Sequence, residues 1–455
     1  MVSVPLQMTD TVAATGRDQV TRIAQICAAW ASSGEFGDHV VYERDGRWTF
    51  AARPRARVVL TKGEVTLEQP ETGARTRTYG WTDDPAAALA AAVADLELPD
   101  WRLYGWVGFD FCAPYHGLAD HVPADVVLAH FIVPHVQAHL TTGPDGVHLE
   151  VEGGDPDLTG RLTELAARAQ APQAALPIAV DDDRDDYRGR VGTAIAEIRR
   201  GDYQKVIMSR RVEVPFDIDM PQTYARGRAG NNPARSYLLR LGDLAAAGFS
   251  PELVVAASAD GEVVTEPLAG TRALGVSAGA DAAARAELLA DEKEIAEHAM
   301  SVRACFDEIA SVSLPGTTAV SEFMQVRDRG SVQHLASTVR GELAPTAGPW
   351  RALAVLFPSI TASGIPKAPA VEAIYRLEPD RRELYSGAVL VASADGALEA
   401  TLALRSIFTA DGRSWLRAGA GVVGQSTPER EFTETCEKLG SVAPFVVPAR
   451  TGDAQ

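Results

Sequence analysis

Cysteine is scarce in this chain, and what there is does not cluster. Four cysteines in 455 residues, Cys27, Cys112, Cys305 and Cys436, show no CxxC spacing. They supply neither a zinc ligand set nor a disulfide framework. Long apolar runs are also missing. A spanning helix needs about 20 predominantly apolar residues, and the run 86–94 is ended by Asp95. The first ten residues, MVSVPLQMTD, have no basic segment leading into an apolar core, so no secretory leader is expected. Positive charge is in deficit, with 43 Lys and Arg against 61 Asp and Glu, a formal charge of −18. Nucleic acid and anionic membrane need a basic footprint and are excluded as expected partners. A cytoplasmic location is expected.

What is present describes an ordinary globular chain, 46% hydrophobic and 23% charged. Asp-Gly pairs at 45–46, 145–146, 260–261, 395–396 and 411–412 separate β-prone runs. They predict tight hairpins, since both residues tolerate positive φ. Apolar periodicity predicts helices after residue 15, before Gly201 with Tyr187, Val191, Ile195 and Ile198 on one face, from about 281 to 310, and after Pro428. The second of these has Asp183, Asp185 and Asp186 where the helix dipole is positive, Arg199 and Arg200 where it is negative, and Gly201 to stop it. Hairpins mixed with long helices predict an α+β fold with largely antiparallel sheets. The Pro- and Ala-rich stretch 171–182 reads as a connector. It divides the chain into 1–182 and 183–450, expected to form one structural unit.

Several residues are candidates for chemistry. Glu294 and Glu297 are three apart on one predicted helix, and Glu431 and Glu434 are three apart on another. An i, i+3 pair shares a helix face. Two such helices could offer four carboxylates to a hard divalent cation such as Mg2+, although the same spacing also occurs on solvated helix surfaces. Lys438 shares the face of Glu434. The segment Gly419-Ala420-Gly421-Val-Val-Gly424 formally matches GxGxxG. Its hairpin context lacks the parallel βαβ unit of a dinucleotide site. It reads instead as a glycine-rich turn near an anion-binding helix N-terminus, with Ser426 or Thr427 as the cap and Pro428 in the first turn. Lys205 opens a β-prone run. Glu252 precedes the apolar run LeuValValAla, where burial would raise its pKa. Arg405 ends an apolar run, where a guanidinium calls for an anion.

In order along the chain stand YGWVGFDF (104–111), EKEIAEH (292–298), RGSVQHLAST (329–338), SGIPKA (363–368), LYSGAV (384–389), RAGAGVV (417–423) and PEREFTETCEK (428–438). This ordered set resembles the chorismate-utilising enzymes, a family that includes anthranilate, aminodeoxychorismate, isochorismate and salicylate synthases. The resemblance covers nearly the whole chain. It implies two stacked, largely antiparallel sheets flanked by helices, with the site between them. Lysine at 205 resembles the members that add water to chorismate rather than ammonia. Ala269 stands where aminodeoxychorismate synthases carry a nucleophilic lysine. The overall likeness is to the siderophore salicylate synthases of the mycobacterial type. Pro369, after SGIPKA, departs from the pattern and is expected to delay the next helix by a turn.

The resemblance implies a division of labour. Mg2+ is held by Glu297 and Glu434, with Glu294 and Glu431 acting through water. Gly270 and Thr271, with Lys438 pointing in, form the ring-carboxylate pocket. Tyr385, Arg405 and Gly419, Ala420 and Gly421 hold the enolpyruvyl carboxylate, and His334 and Thr361 line the pocket. Lys205 is the general base and Glu252 the general acid. The expected activity is Mg2+-dependent conversion of chorismate through isochorismate to salicylate and pyruvate. Release of isochorismate, or a non-catalytic chorismate- or metal-binding regulator, are the alternatives. A monomer without a glutaminase subunit is expected.

Overall fold

The structure, a computed structural model, describes residues 2–6, 16–70, 75–153, 155–275, 277–329 and 332–450. Among these, every strand pairing is antiparallel, and the strands form one continuous hydrogen-bonded network. The network folds over on itself. Tyr42 in strand His39–Arg44 donates to Glu399 Oε1 at 2.6 Å in strand Leu398–Leu402, although these strands are not paired. Strands from the two sequence regions pair directly: His39–Arg44 lies against Arg235–Leu241, and Arg102–Val107 against Ala388–Ser393. Helices flank the sheet, so the architecture is α+β, as expected.

The hairpins form at the Asp-Gly pairs. Asp45 and Gly46 have φ of 51° and 75°, and Asp411 and Gly412 have 50° and 69°. Only residues that tolerate the left-handed region can fill both positions. The helix Tyr187–Arg200 begins where the Asp183 carboxylate accepts from the backbone N–H groups of Tyr187 (2.7 Å) and Arg188. It ends on Gly201, φ 90°. Its buried face carries Tyr187, Val191, Ala194 and Ile195, and the Tyr187 hydroxyl donates to Met208 O at 3.0 Å. That contact seats the helix on strand Lys205–Glu213.

Three expectations are corrected. The single helix expected from about 281 to 310 is two, Ala278–Ala290 and Glu292–Val312. Asp291 is extended between them, and its carboxylate captures the N–H groups of Lys293 (3.1 Å) and Glu294 (3.2 Å) while pairing with Arg272. A cap of this kind contributes about 1 kcal/mol, which favours restarting the helix there. Pro369 delays nothing: the helix Lys367–Leu377 begins two residues before it. In a first turn the N–H that proline lacks has no intrahelical partner to lose. Finally, Gly419–Gly421 is not a turn. It lies within strand Arg413–Val422, with Gly419 opposite Ser209 and Gly421 opposite Ile207.

Candidate active site

Strand Lys205–Glu213 is paired with Arg413–Val422 and, at its start, with Gly364–Ile365. Lys205 is thus set beside the glycine strand and close to the 3-10 turn Ile360–Ala362 that carries Thr361. The lysine is buried, and its Nζ lies 2.7 Å from Glu297 Oε1. Glycine at 421 leaves room for this approach. A Cβ there would stand 3.0 Å from Glu297 Oε1 and 3.3 Å from Lys205 Cε. At Gly419 a Cβ would meet Met208 O at 2.8 Å and the Tyr385 hydroxyl at 3.0 Å. The missing side chains therefore make room for side chains arriving from three other elements.

Glu252 sits at the mouth of strand Leu253–Ala257 and is 4% exposed. Its Oε1 accepts from Ser359 Oγ at 3.0 Å and from the Thr361 hydroxyl. Burial pushes its pKa up to about 7, against the pull of Thr361, Ser359 and Lys205. A carboxyl so placed is protonated or deprotonated near neutrality, as a general acid requires. Ser359 has no motif to announce it and is invisible to sequence reasoning.

His334 bridges Gly270 and Arg405. Its Nδ1 lies 2.9 Å from Gly270 O and its Nε2 2.8 Å from Arg405 Nη2. A guanidinium can only donate and a carbonyl only accept, so the two contacts select the neutral tautomer with hydrogen on Nδ1. Gly270 has φ 62°, and a Cβ there would stand 2.7 Å from Leu288 Cδ1 and 3.1 Å from Glu294 Oε2. Thr271 lies in strand Leu268–Ala273, but its side chain is outside the described residues. Tyr385 is buried, and burial raises its hydroxyl pKa.

The four glutamates come from the two expected helices, Glu292–Val312 and Pro428–Leu439. Thr427 caps the second, with Pro428 at its start; Ser426 instead accepts from Val423 N. Lys438 Nζ lies 2.8 Å from Glu434 Oε1 and donates to Gly419 O at 2.8 Å. Burial raises the Glu434 pKa, but Lys438, with Arg430 and Lys293, more than offsets this and brings it below the usual value. The carboxyls of Glu294 and Glu431 are raised, chiefly by burial and then by other glutamates of the set. The Glu431 side chain is buried, and the Ser426 hydroxyl pulls its carboxyl part of the way back down.

Among the described residues, no group of three or more His, Cys, Asp or Glu side chains is close enough to hold a metal ion. The carboxylates are instead interleaved with ammonium groups, Lys205 at Glu297 and Lys438 at Glu434. In donor chemistry, carboxylate oxygens are the type a hard divalent cation takes, and the buried Glu431 lies among them.

A buried lysine, a carboxyl with its pKa near 7 and a guanidinium–histidine pair are kinds of group that can hold a small anion and move protons on it. The sequence profile of the chorismate binding enzymes matches residues 38–444, and the chain belongs to that family. A salicylate synthase of Mycolicibacterium paratuberculosis is 45% identical over 410 residues, 90% of each chain. Anthranilate synthase component 1 of Thermus thermophilus is 35% identical, covering 82% of this chain and 84% of its own. In fold, the chain resembles the crystal structure of anthranilate synthase component I from Streptococcus pneumoniae. The TM-score is 0.71 at 26% identity, with 87% of this chain and 92% of that one covered. The menaquinone-specific isochorismate synthase of Escherichia coli shares the fold at TM-score 0.69 and 20% identity, covering 98% of this chain and 94% of its own. The chain is a chorismate-utilising enzyme. Among its described residues no helix is long and apolar enough to cross a membrane.

Proposed function

We propose that the chain is a salicylate synthase that hydrates chorismate to isochorismate and then expels pyruvate, serving a siderophore pathway. The observation that carries this reading is that buried Lys205 lies near enough for its charge to act on Glu252, whose carboxyl burial pushes up to about 7. Likeness to the M. paratuberculosis salicylate synthase over 90% of the chain supports it. Lys205, as the general base, takes a proton from the water that attacks C2. Glu252, as the acid, gives its proton to the hydroxyl leaving C4, so a second water departs and isochorismate remains. Arg405, Tyr385 and the strand 419–421 hold the enolpyruvyl carboxylate, while Gly270, Thr271 and Lys438 form the ring-carboxylate pocket, which His334 and Thr361 line. The C2 hydrogen then shifts to the enolpyruvyl methylene as the ether C–O bond breaks, giving salicylate and pyruvate. This second step calls for a compressed conformer and excluded water rather than an acid or base.

Glu297 and Glu434 would hold Mg2+, with Glu294 and Glu431 supporting through water. Bound there, the cation supplies charge neutralisation for the ring carboxylate. The reading includes a cytoplasmic monomer that needs no glutaminase subunit. Incubation with chorismate and Mg2+, followed by chromatography, tests it. Salicylate and pyruvate in equal amounts are expected, with none formed in excess chelator. Accumulated isochorismate would make the chain an isochorismate synthase, and unchanged chorismate would make it a binder. Full activity in chelator would remove the metal from the proposal.

A further inference from the structure

Behind Tyr385 and the glycine strand lies a buried charge cluster that no step of the proposed reaction uses. Glu378 follows helix Lys367–Leu377, and its carboxylate accepts five hydrogen bonds. They come from Ser209 N (2.7 Å), Ser209 Oγ (2.9 Å), Arg382 Nε (2.9 Å), Arg382 Nη2 (2.7 Å) and Arg417 Nη2 (2.6 Å). The side chains of Arg382 and Arg417 are 1% exposed and that of Glu378 2%. Burial alone would raise the Glu378 carboxyl, but Arg382 and Arg417 hold it down to about 2. The cluster is therefore a permanent ionic one.

Its remaining bonds reach the elements that carry the site. Arg382 donates to Ile207 O at 2.6 Å, two residues beyond Lys205, and to Ala362 O at 2.7 Å, next to Thr361. Arg417, two residues before Gly419, donates to Ser209 Oγ at 2.8 Å and to Arg381 O at 2.8 Å. Both guanidiniums lie 5.8 Å from the centre of the Tyr385 ring. Buried ion clusters are weak sources of stability, because desolvation offsets the Coulomb gain. What a guanidinium adds is direction, since its five N–H groups lie in one fixed plane.

We propose that Glu378, Arg382 and Arg417 are positioning residues that lock Tyr385 and the strand 419–421 against the Lys205 strand, and that this lock keeps isochorismate bound until pyruvate leaves. The inference rests on the salicylate synthase reading. Pyruvate loss depends on geometry alone, so it is the step most sensitive to a loosened anchor; displacement of about 1 Å can cost 100-fold.

The test substitutes Arg417→Met and Arg417→Lys in the full chain with Mg2+ and chorismate. It reads KM, kcat and the ratio of free isochorismate to salicylate. Folded Arg417→Met should raise both KM and that ratio by about tenfold or more, and Arg417→Lys, which keeps the charge but loses the fork, should still raise the ratio. A merely structural role would lower the active fraction and leave KM and the ratio at wild-type values, and that result would overturn the proposal. If Arg417→Met does not fold, the ratio for Arg417→Lys decides: a rise supports the lock and an unchanged ratio overturns it. The wild-type control separates the two failures, because isochorismate as its sole product would refute the salicylate reading itself.

Discussion

Lys205 Nζ and Glu297 Oε1 are 2.7 Å apart, with side-chain exposures of 3% and 14%. This ion pair joins the strand that begins at Lys205 to the long helix of the acidic cluster. Removing one partner of a buried pair leaves the other charge uncompensated, at a cost of about 3–5 kcal/mol.

Lys205→Ala should therefore destabilise the protein, and Mg2+ should restore part of the loss by becoming the counter-charge of Glu297. Thermal unfolding of wild type and variant, each with chelator and with Mg2+, measures this. The Mg2+-induced rise in Tm should be larger for the variant. Equal rises in the two proteins would mean that Glu297 does not face the cation.

Glu252 gives stability a pH dependence whose sign is fixed. Its carboxyl, raised by burial, titrates near 7 in the folded chain and near 4.5 when exposed. Between those values the folded state binds more protons than the unfolded one, so this contribution is complete below 4.5 and lost as pH rises through 7. Glu252→Gln should gain on wild type across that window by about 3 kcal/mol. Parallel denaturant titrations at pH 4.5 and 8 check the difference. As general acid, Glu252 also makes chorismate turnover fall above about pH 7, and a flat profile there would count against its role.

Nitrogen provides an independent check. Lys205 stands where the resemblance expects hydration, so ammonium or glutamine supplied with chorismate and Mg2+ should yield no appreciable anthranilate. Chromatography of the products decides, and anthranilate as the main product would contradict the assignment of Lys205 to water.

The hairpins and the helix at 187–200 were legible because each is set by local chemistry: Asp-Gly pairs that accept positive φ, an acid that caps, a glycine that stops. The Glu294/Glu297 and Glu431/Glu434 pairs were legible as helix faces for the same reason. Asp291 was not, since apolar periodicity runs through it and only its link to Arg272 marks the break. Nor was the strand identity of 419–421, where glycines imitate a turn but serve to admit Lys205, Glu297 and Tyr385. Ser359 and the Glu378 cluster join residues far apart in sequence, and no local spacing announces such contacts. The ammonium groups interleaved with the carboxylates are likewise a product of tertiary packing.

The division of labour within the site is tested most directly by offering two substrates to the same variants. Lys205→Ala and Glu252→Gln should nearly silence turnover of chorismate, since acid–base groups typically contribute 10²–10⁴-fold. Given isochorismate, both should still form salicylate at a substantial fraction of the wild-type rate, whereas Arg405→Ala should be impaired on both substrates. Parallel loss on chorismate and isochorismate in well-folded Lys205→Ala and Glu252→Gln would contradict the assignment of these two residues to hydration.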